Sequence, residues 1–229
     1  MEFIILLIFL VIMYLILKII FDYNIKKVKE IGENKELDEI TQNYPENIEI
    51  CKEYLIKLNN KNVQIEEDKN SNATLYLVMS NKIFIANLKN SYTRIQTIAH
   101  ECLHSIQNKK MLWFNFIFSN IYLIYFLLIC IFGILKLLPN KMIFLFILII
   151  GGFAFYSVRS YLETDAMTKA RFLAKEYMQE KNISTSEEID KIIKVYDKLN
   201  DIGIKCTNFK LLSSVFIKII IILVIFIIF

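Results

Sequence analysis

The stretch "TIAHECLHSIQ", residues 97–107, holds His100 and His104, the only histidines in the chain, with Glu101 beside the first. On an α-helix, positions i and i+4 stack on one face. Two imidazoles at that spacing reach one ion. The glutamate after the first histidine stands to the side, where it can take a proton from zinc-bound water. The competing reading is a structural helix with two surface histidines. A chain this poor in histidine rarely places both at this spacing around a glutamate.

Zinc needs at least a third protein ligand. No histidine remains, so it is a carboxylate or a cysteine. The segment "RSYLETDAMTKARFLAKEY" has a helical pattern and offers Glu163 and Asp165. The two point about 200° apart at 3.6 residues per turn, so they cannot both face one ion on an undistorted helix. Glu163 has the longer reach and lies nearer the apolar run that precedes it. An ordinary exposed helix carboxylate is the alternative reading of this residue.

The elements that position these groups are dominated by apolar runs. The chain is 55% hydrophobic, with five glycines and two prolines. Runs of about 18 or more apolar residues read as membrane spans. Four occur: Phe3–Phe21, Phe114–Leu138, Met142–Val158 and Leu211–Phe229. The first starts Met-Glu and lacks a small-residue cleavage site, so it reads as an uncleaved anchor rather than a signal peptide. Lys18, Lys26 and Lys27 follow the first span, Lys109 and Lys110 precede the second, Arg159 and Lys169 follow the third, and Lys210 precedes the fourth. This asymmetry puts residues 22–112 and 159–210 in the cytoplasm and both termini outside. His104 precedes the hairpin of spans and Glu163 follows it. Two spans is an even number, so His100, His104 and Glu163 share one side. The net charge of +4 is scattered, which gives no nucleic-acid footprint. Cys51, Cys102 and Cys206 fall on the reduced side and Cys130 within a span, so no disulfide framework is expected.

Residues 22–112 predict a small domain. Pro45 suits the first turn of a helix running to about Asn59. Short β-type runs follow at Val63–Glu66, Thr74–Met79 and Lys82–Asn87, the last two forming a hairpin around Ser80-Asn81. Ser91 is the expected cap of the histidine helix, where Ile95, Ile98, Cys102 and Ile106 make a buried face. The run "KIFIAN" is read either as an edge strand that pairs with an extended substrate or as an inner strand. Ser184 to Glu187 forms a capping-box pattern, and Ile189, Ile192, Ile193 and Tyr196 form the apolar stripe of the helix it starts. Tyr92, Tyr156 and Tyr161 are the candidate donors to an oxyanion.

The motifs Ala99-His100-Glu101-Cys102-Leu103-His104-Ser105-Ile106-Gln107 and Glu163-Thr164-Asp165-Ala166, with Ala170 after the second, resemble those of the YugP-type neutral zinc metallopeptidases of bacterial membranes. The resemblance covers most of the chain in layout and about a dozen residues in motif. Leu103 stands where the family has glycine, and Met167 where it has a small residue. HtpX-type membrane peptidases share the layout but carry an Asp four residues after the Glu, against two here. A site-2-type intramembrane protease is disfavoured, since no Asn-Pro-Asp-Gly motif is present and the HExxH helix is too polar for mid-bilayer. The resemblance implies His100, His104 and Glu163 as zinc ligands and Glu101 as catalytic base.

The expected fold is an α+β membrane protein, with four transmembrane helices and a small zincin-like cytoplasmic domain in which a short sheet packs on the metal-binding helix. Its segments are an anchor (1–21), a zincin-like domain with the HExxH helix (22–112), a transmembrane hairpin (113–158), the third-ligand helix and a second helix (159–210), and a last span (211–229). The expected function is a multi-pass cell-membrane metallopeptidase that uses Zn2+ to cleave a peptide or membrane-protein substrate. Asp165 is a candidate to orient a ligand histidine. The alternative is a catalytically inactive scaffold or partner-binding protein with a structural zinc. An ion-transport role is disfavoured because the central spans lack buried acids.

Overall fold

A computed structural model of the chain describes residues 1–68, 71, 73–88 and 91–229. Eight helices and three strands are formed among them: α1 Glu2–Ile20, α2 Ile25–Gly32, α3 Lys35–Gln42, α4 Asn47–Lys57, β1 Gln64–Asp68, β2 Leu75–Leu77, β3 Lys82–Ala86, α5 Arg94–Ile106, α6 Lys109–Ile134, α7 Lys141–Lys181 and α8 Ser186–Ile228. The chain is mostly helical, with one small sheet. Helices α1, α6, α7 and α8 are long and apolar enough to cross a membrane, which suggests a membrane protein.

Two units divide the chain. One comprises Met1–Tyr23, Trp113–Tyr161 and Lys205–Phe229. Its core gathers Tyr122, Leu148, Val215, Ile222 and Phe226, among others. Close approach there depends on glycine. A Cβ at Gly152 would lie 2.4 Å from Val215 Cγ1 and 2.7 Å from the Tyr122 hydroxyl. Small residues at such points let apolar helices approach closely and gain dispersion energy. Along α1 and α8, Phe3 meets Phe226 at one end, while Tyr14, Phe21 and Tyr23 surround Phe209 at the other. The two helices are therefore antiparallel.

The second unit, Asn24–Leu112 with Leu162–Ile204, carries the sheet. The strand order is β1-β3-β2, with β1 parallel and β2 antiparallel to β3. β3, the "KIFIA" strand, is therefore the inner strand and not an edge for substrate. Its Ile83 and Ile85 are fully buried. The hairpin between β2 and β3 forms as expected, and Asn81 takes a positive φ of 48° in its turn. Helices α2 and α3 were not anticipated. Asn24 caps the first by accepting from Lys27 N (3.0 Å), and Asn34 caps the second by accepting from Leu37 N (3.2 Å). These caps satisfy amides that have no partner inside the helix.

Several boundaries differ from the sequence reading. Pro45 lies one residue before the Glu46 N-cap of α4. Its carbonyl accepts from Arg94. Ser91 stands two residues before Thr93, the N-cap of α5. The capping box forms one residue later than expected. Thr185 N donates to Glu188 Oε2 (2.7 Å) and Glu188 N to Thr185 Oγ1 (3.3 Å). Ile189, Ile192 and Tyr196 are buried and Ile193 packs beside them, all in the core of this unit. Residues 159–181 continue α7, and residues 186–210 are one helix with the final apolar run. No proline interrupts either stretch, and a helix ends only where something stops it.

Candidate metal centre

The site is built on α5. Arg94 opens that helix and is 1% exposed. Its guanidinium donates to Thr41 O (2.7 Å), Tyr44 O (2.8 Å), Pro45 O (2.8 Å) and Asn47 Oδ1 (2.9 Å). Four oxygens around one planar cation hold the start of α5 against the α3–α4 connection. Burial pulls its pKa down from the ordinary arginine value, partly offset by the charge of Glu46. Ile95, Ile98 and Cys102 are fully buried. Ile106, expected on the same face, is 45% exposed, because it ends the helix. Cys51 Sγ on α4 and Cys102 Sγ touch at 3.6 Å as free thiols. At the far end, Asn60 Nδ2 donates to Ser105 O (3.1 Å) and Ser105 Oγ (2.9 Å). α5 is therefore fixed at its start, middle and end.

On the free face of α5, His100 Nε2 and His104 Nε2 stand 3.0 Å apart. Glu163 Oε2 on α7 lies 3.5 Å from the first and 3.6 Å from the second. These three donors form a group with the spacing of a metal site. The edge of a tetrahedron with zinc–donor bonds of about 2.0 Å is about 3.3 Å. The cluster therefore has the right size for one ion, and its two nitrogens and one oxygen leave a fourth position open. Asp165, two residues on, is not in the group.

What orients His104 is Gln107, which the sequence reading placed in the motif without a role. Gln107 Nε2 donates to Leu162 O (2.8 Å) and Asp165 Oδ2 (3.1 Å). Two acceptors on the nitrogen fix which way the amide points. Gln107 Oε1 must then accept, and it does so from His104 Nδ1 at 2.8 Å. With the proton on Nδ1, Nε2 presents its lone pair to the cluster. Asp165 thus acts on the histidine through Gln107, and Lys169 Nζ, at 2.6 Å, holds its other oxygen. Burial favours neutral Asp165, but the bonds from Lys169 and Gln107 prevail and lower its pKa. The signal in the sequence was a glutamine three residues after the second histidine. Its meaning depends on α7 lying alongside.

Glu101 is 8% exposed. Tyr76 N in β2 donates to its Oε2 at 2.7 Å, and its Oε1 is 3.8 Å from His100 Nε2. Burial raises the Glu101 pKa, and Glu163 adds to this. The two histidines and the Tyr76 amide pull the other way without cancelling it. For His104, burial lowers the pKa, but the hydrogen bond and charge of Glu163, the charge of Glu101 and the bond to Gln107 outweigh it, and the net shift is upward. Of the tyrosines named above, Tyr92 is a core residue whose hydroxyl donates to Ile31 O (2.6 Å). Tyr156 and Tyr161 belong to the other unit.

The residues at the two departures from the family motif are accommodated in different ways. Leu103 is buried in the core. The Met167 methyl lies where a Cβ on Gly203 would stand, 2.9 Å away, so an α8 glycine makes room for the larger side chain. Asn200 ties the same region together by donating to Met167 O (2.7 Å) and accepting from Gln96 (3.0 Å). Comparison with known protein families, curated proteins and solved structures yields no match.

Proposed function

We propose that the chain is a membrane-embedded zinc metallopeptidase whose second unit is a small zincin-like domain facing the cytoplasm. One observation carries the reading: His100, His104 and Glu163, from helices about sixty residues apart in the chain, converge in a three-donor cluster, with a separate carboxylate, Glu101, beside it. A structural zinc site closes with four protein ligands, whereas a catalytic one keeps a position open. The three-donor set favours the catalytic reading over the inert scaffold. The motif resemblance to YugP-type peptidases points the same way, and the Lys/Arg asymmetry supports the cytoplasmic side.

When bound, Zn2+ supplies an acidified water and polarisation of the scissile carbonyl. The residues of the chain do the rest. His100 Nε2, His104 Nε2 and Glu163 Oε2 would hold the ion. Gln107 keeps the His104 proton on Nδ1. Tyr76 N–H anchors Glu101 at Oε2, leaving Oε1 to accept the proton of the attacking water. The water oxygen bonds to the carbonyl carbon, the C–N bond breaks, and Glu101 delivers its proton to the leaving amine. In the metal-free chain, burial raises the Glu101 pKa above the ordinary glutamate value, the direction expected of a base. The substrate class is an extended peptide or a membrane protein segment, and nothing in the charge pattern suits nucleic acid.

The test is Glu101→Gln against wild type in one detergent, with zinc content and peptide cleavage measured together. The variant should keep its zinc and lose cleavage by about 10²-fold or more. Cleavage at the wild-type rate by Glu101→Gln would refute the mechanism.

A further inference from the structure

Away from the metal centre, the apolar unit contains a cleft of about 360 Å³ beside the end of α1 and the first turns of the apolar part of α8. Phe209, Ser213 and Ile217 line it at four-residue spacing, and Lys210, Ser214 and Lys218 repeat that spacing one position on. The six side chains are one stripe of α8. Tyr14 and Tyr23 complete the wall.

Three features ask for an anionic, partly apolar ligand. The first is charge. This unit contains seven lysines and arginines but only two acidic side chains, Glu2 and Asp22. Lys218 sits eight residues into the run after Lys210, about 12 Å along the helix. Among the described residues its polar and ring partners are neutral: Ser214 Oγ (2.7 Å), Ser214 O (3.3 Å) and the Tyr122 ring. The second is an unused donor. Ser213 is 8% exposed and its hydroxyl has no hydrogen-bond partner. Such groups are rare, and each asks for an explanation. Ser214 Oγ accepts from Lys218, so its own proton is also free to donate. The third is the apolar side: Ile217 is 47% exposed on the same stripe. The aromatic residues Tyr14, Tyr23 and Phe209 are of the type found at headgroup level.

We propose that this cleft is a binding site for one anionic phospholipid. Its phosphate pairs with Lys210 and Lys218, an oxygen of the phosphate or glycerol esters accepts from Ser213, and an acyl chain lies over Ile217. Basic pockets between membrane helices recognise lipid headgroups in this way. A free phosphate shares the charge but gains nothing from the apolar side.

The experiment is native mass spectrometry of the purified full-length chain with phosphatidylglycerol, with phosphatidylcholine of the same acyl chains, and with inorganic phosphate as competitor. Wild type should retain phosphatidylglycerol over phosphatidylcholine. Each lysine removed, in Lys210→Gln and Lys218→Gln, should cut that preference by about fivefold. Lys218→Arg should keep it, and Ser213→Ala should reduce it. Lys210 is exposed, so Lys210→Gln tests the site without disturbing packing, should Lys218→Gln fail to fold. Equal retention in wild type and Lys210→Gln would overturn the proposal. So would displacement of the lipid by millimolar phosphate, which would make this a soluble-anion site.

Discussion

The two units of this chain hold their elements together differently: the one that carries the metal centre uses polar side-chain networks, and the apolar one uses close approach at glycine. In the unit that carries the metal centre, polar side chains form networks, although the Tyr44 hydroxyl and the Nε atoms of Arg94 and Arg171 have no partner among the described residues. Arg94 has four oxygens, Gln96 meets Asn200, and Gln107 bridges His104 to Asp165. In the apolar unit, where Tyr122, Ser213 and Asn115 likewise keep a buried polar atom without a partner among the described residues, close contact is made at glycine. A site that must hold three donor atoms to within a few tenths of an ångström needs side chains locked by hydrogen bonds. Apolar helices in a membrane need close packing, and small residues supply it.

The contrast breaks most sharply at Arg94. Arg94→Met removes the cation from four acceptors and leaves them buried. The expected loss is about 3 kcal/mol or more, enough to unfold the unit in a marginal protein. Thermal unfolding followed by circular dichroism should show a much lower midpoint. An unchanged midpoint would mean that the network does not hold α5.

Gly152→Leu asks the matching question of the apolar unit. A side chain there meets Val215 and Tyr122 at once. Overpacking of this kind costs about 1–3 kcal/mol. Solubilised protein should melt earlier, while zinc content stays at the wild-type level, because the donors belong to the other unit. Loss of zinc from this variant would show that the units are not independent in this respect.

How much of this was legible in the sequence follows from what each feature depends on. His100 and His104 were legible as a pair because helical spacing alone puts them on one face, with Glu101 to the side. The hairpin was legible because its turn is local. The inner position of β3 was not, since it depends on β1 pairing in parallel from across a connection. α2 and α3 are eight residues each and rest on single asparagine caps, too little signal to separate them from a loop. The capping box slipped by one residue because Ser184-Thr185-Ser186-Glu187-Glu188 contains the pattern twice. The continuity of α7 was hidden by a change of composition near residue 158, which marks a change of surroundings and not an end of the helix. The role of Gln107 was out of reach, since Leu162 and Asp165 are distant in sequence.

That role gives a finer test of the polar unit. Gln107→Leu frees the His104 tautomer and should weaken zinc binding about 10- to 100-fold. Asp165→Asn should cost less, because an amide oxygen can still accept from Gln107 Nε2. Glu163→Gln removes a donor atom and should cost more than either. Competition with a chromogenic chelator ranks the three. If Asp165→Asn loses more zinc than Glu163→Gln, the third donor has been assigned to the wrong carboxylate.

The smallest effect is one of pH, and its sign separates the metal-free from the metal-loaded protein. In the metal-free protein the His104 pKa is raised, with Glu163 and Glu101 overcoming the opposing effect of burial. A raised folded-state pKa means the folded chain holds the proton more tightly than the unfolded chain. The stabilisation is complete below the ordinary histidine value of about 6.5 and is lost as pH rises through the higher folded value. The upward shift of Glu101 acts in the same direction. Zinc demands the neutral imidazole, so its binding strengthens over the same range. Between about pH 6 and 8, the metal-free protein should therefore melt at lower temperature as pH rises, and the zinc-loaded protein at higher temperature. Parallel slopes for the two forms would mean that His104 does not exchange its proton for the ion.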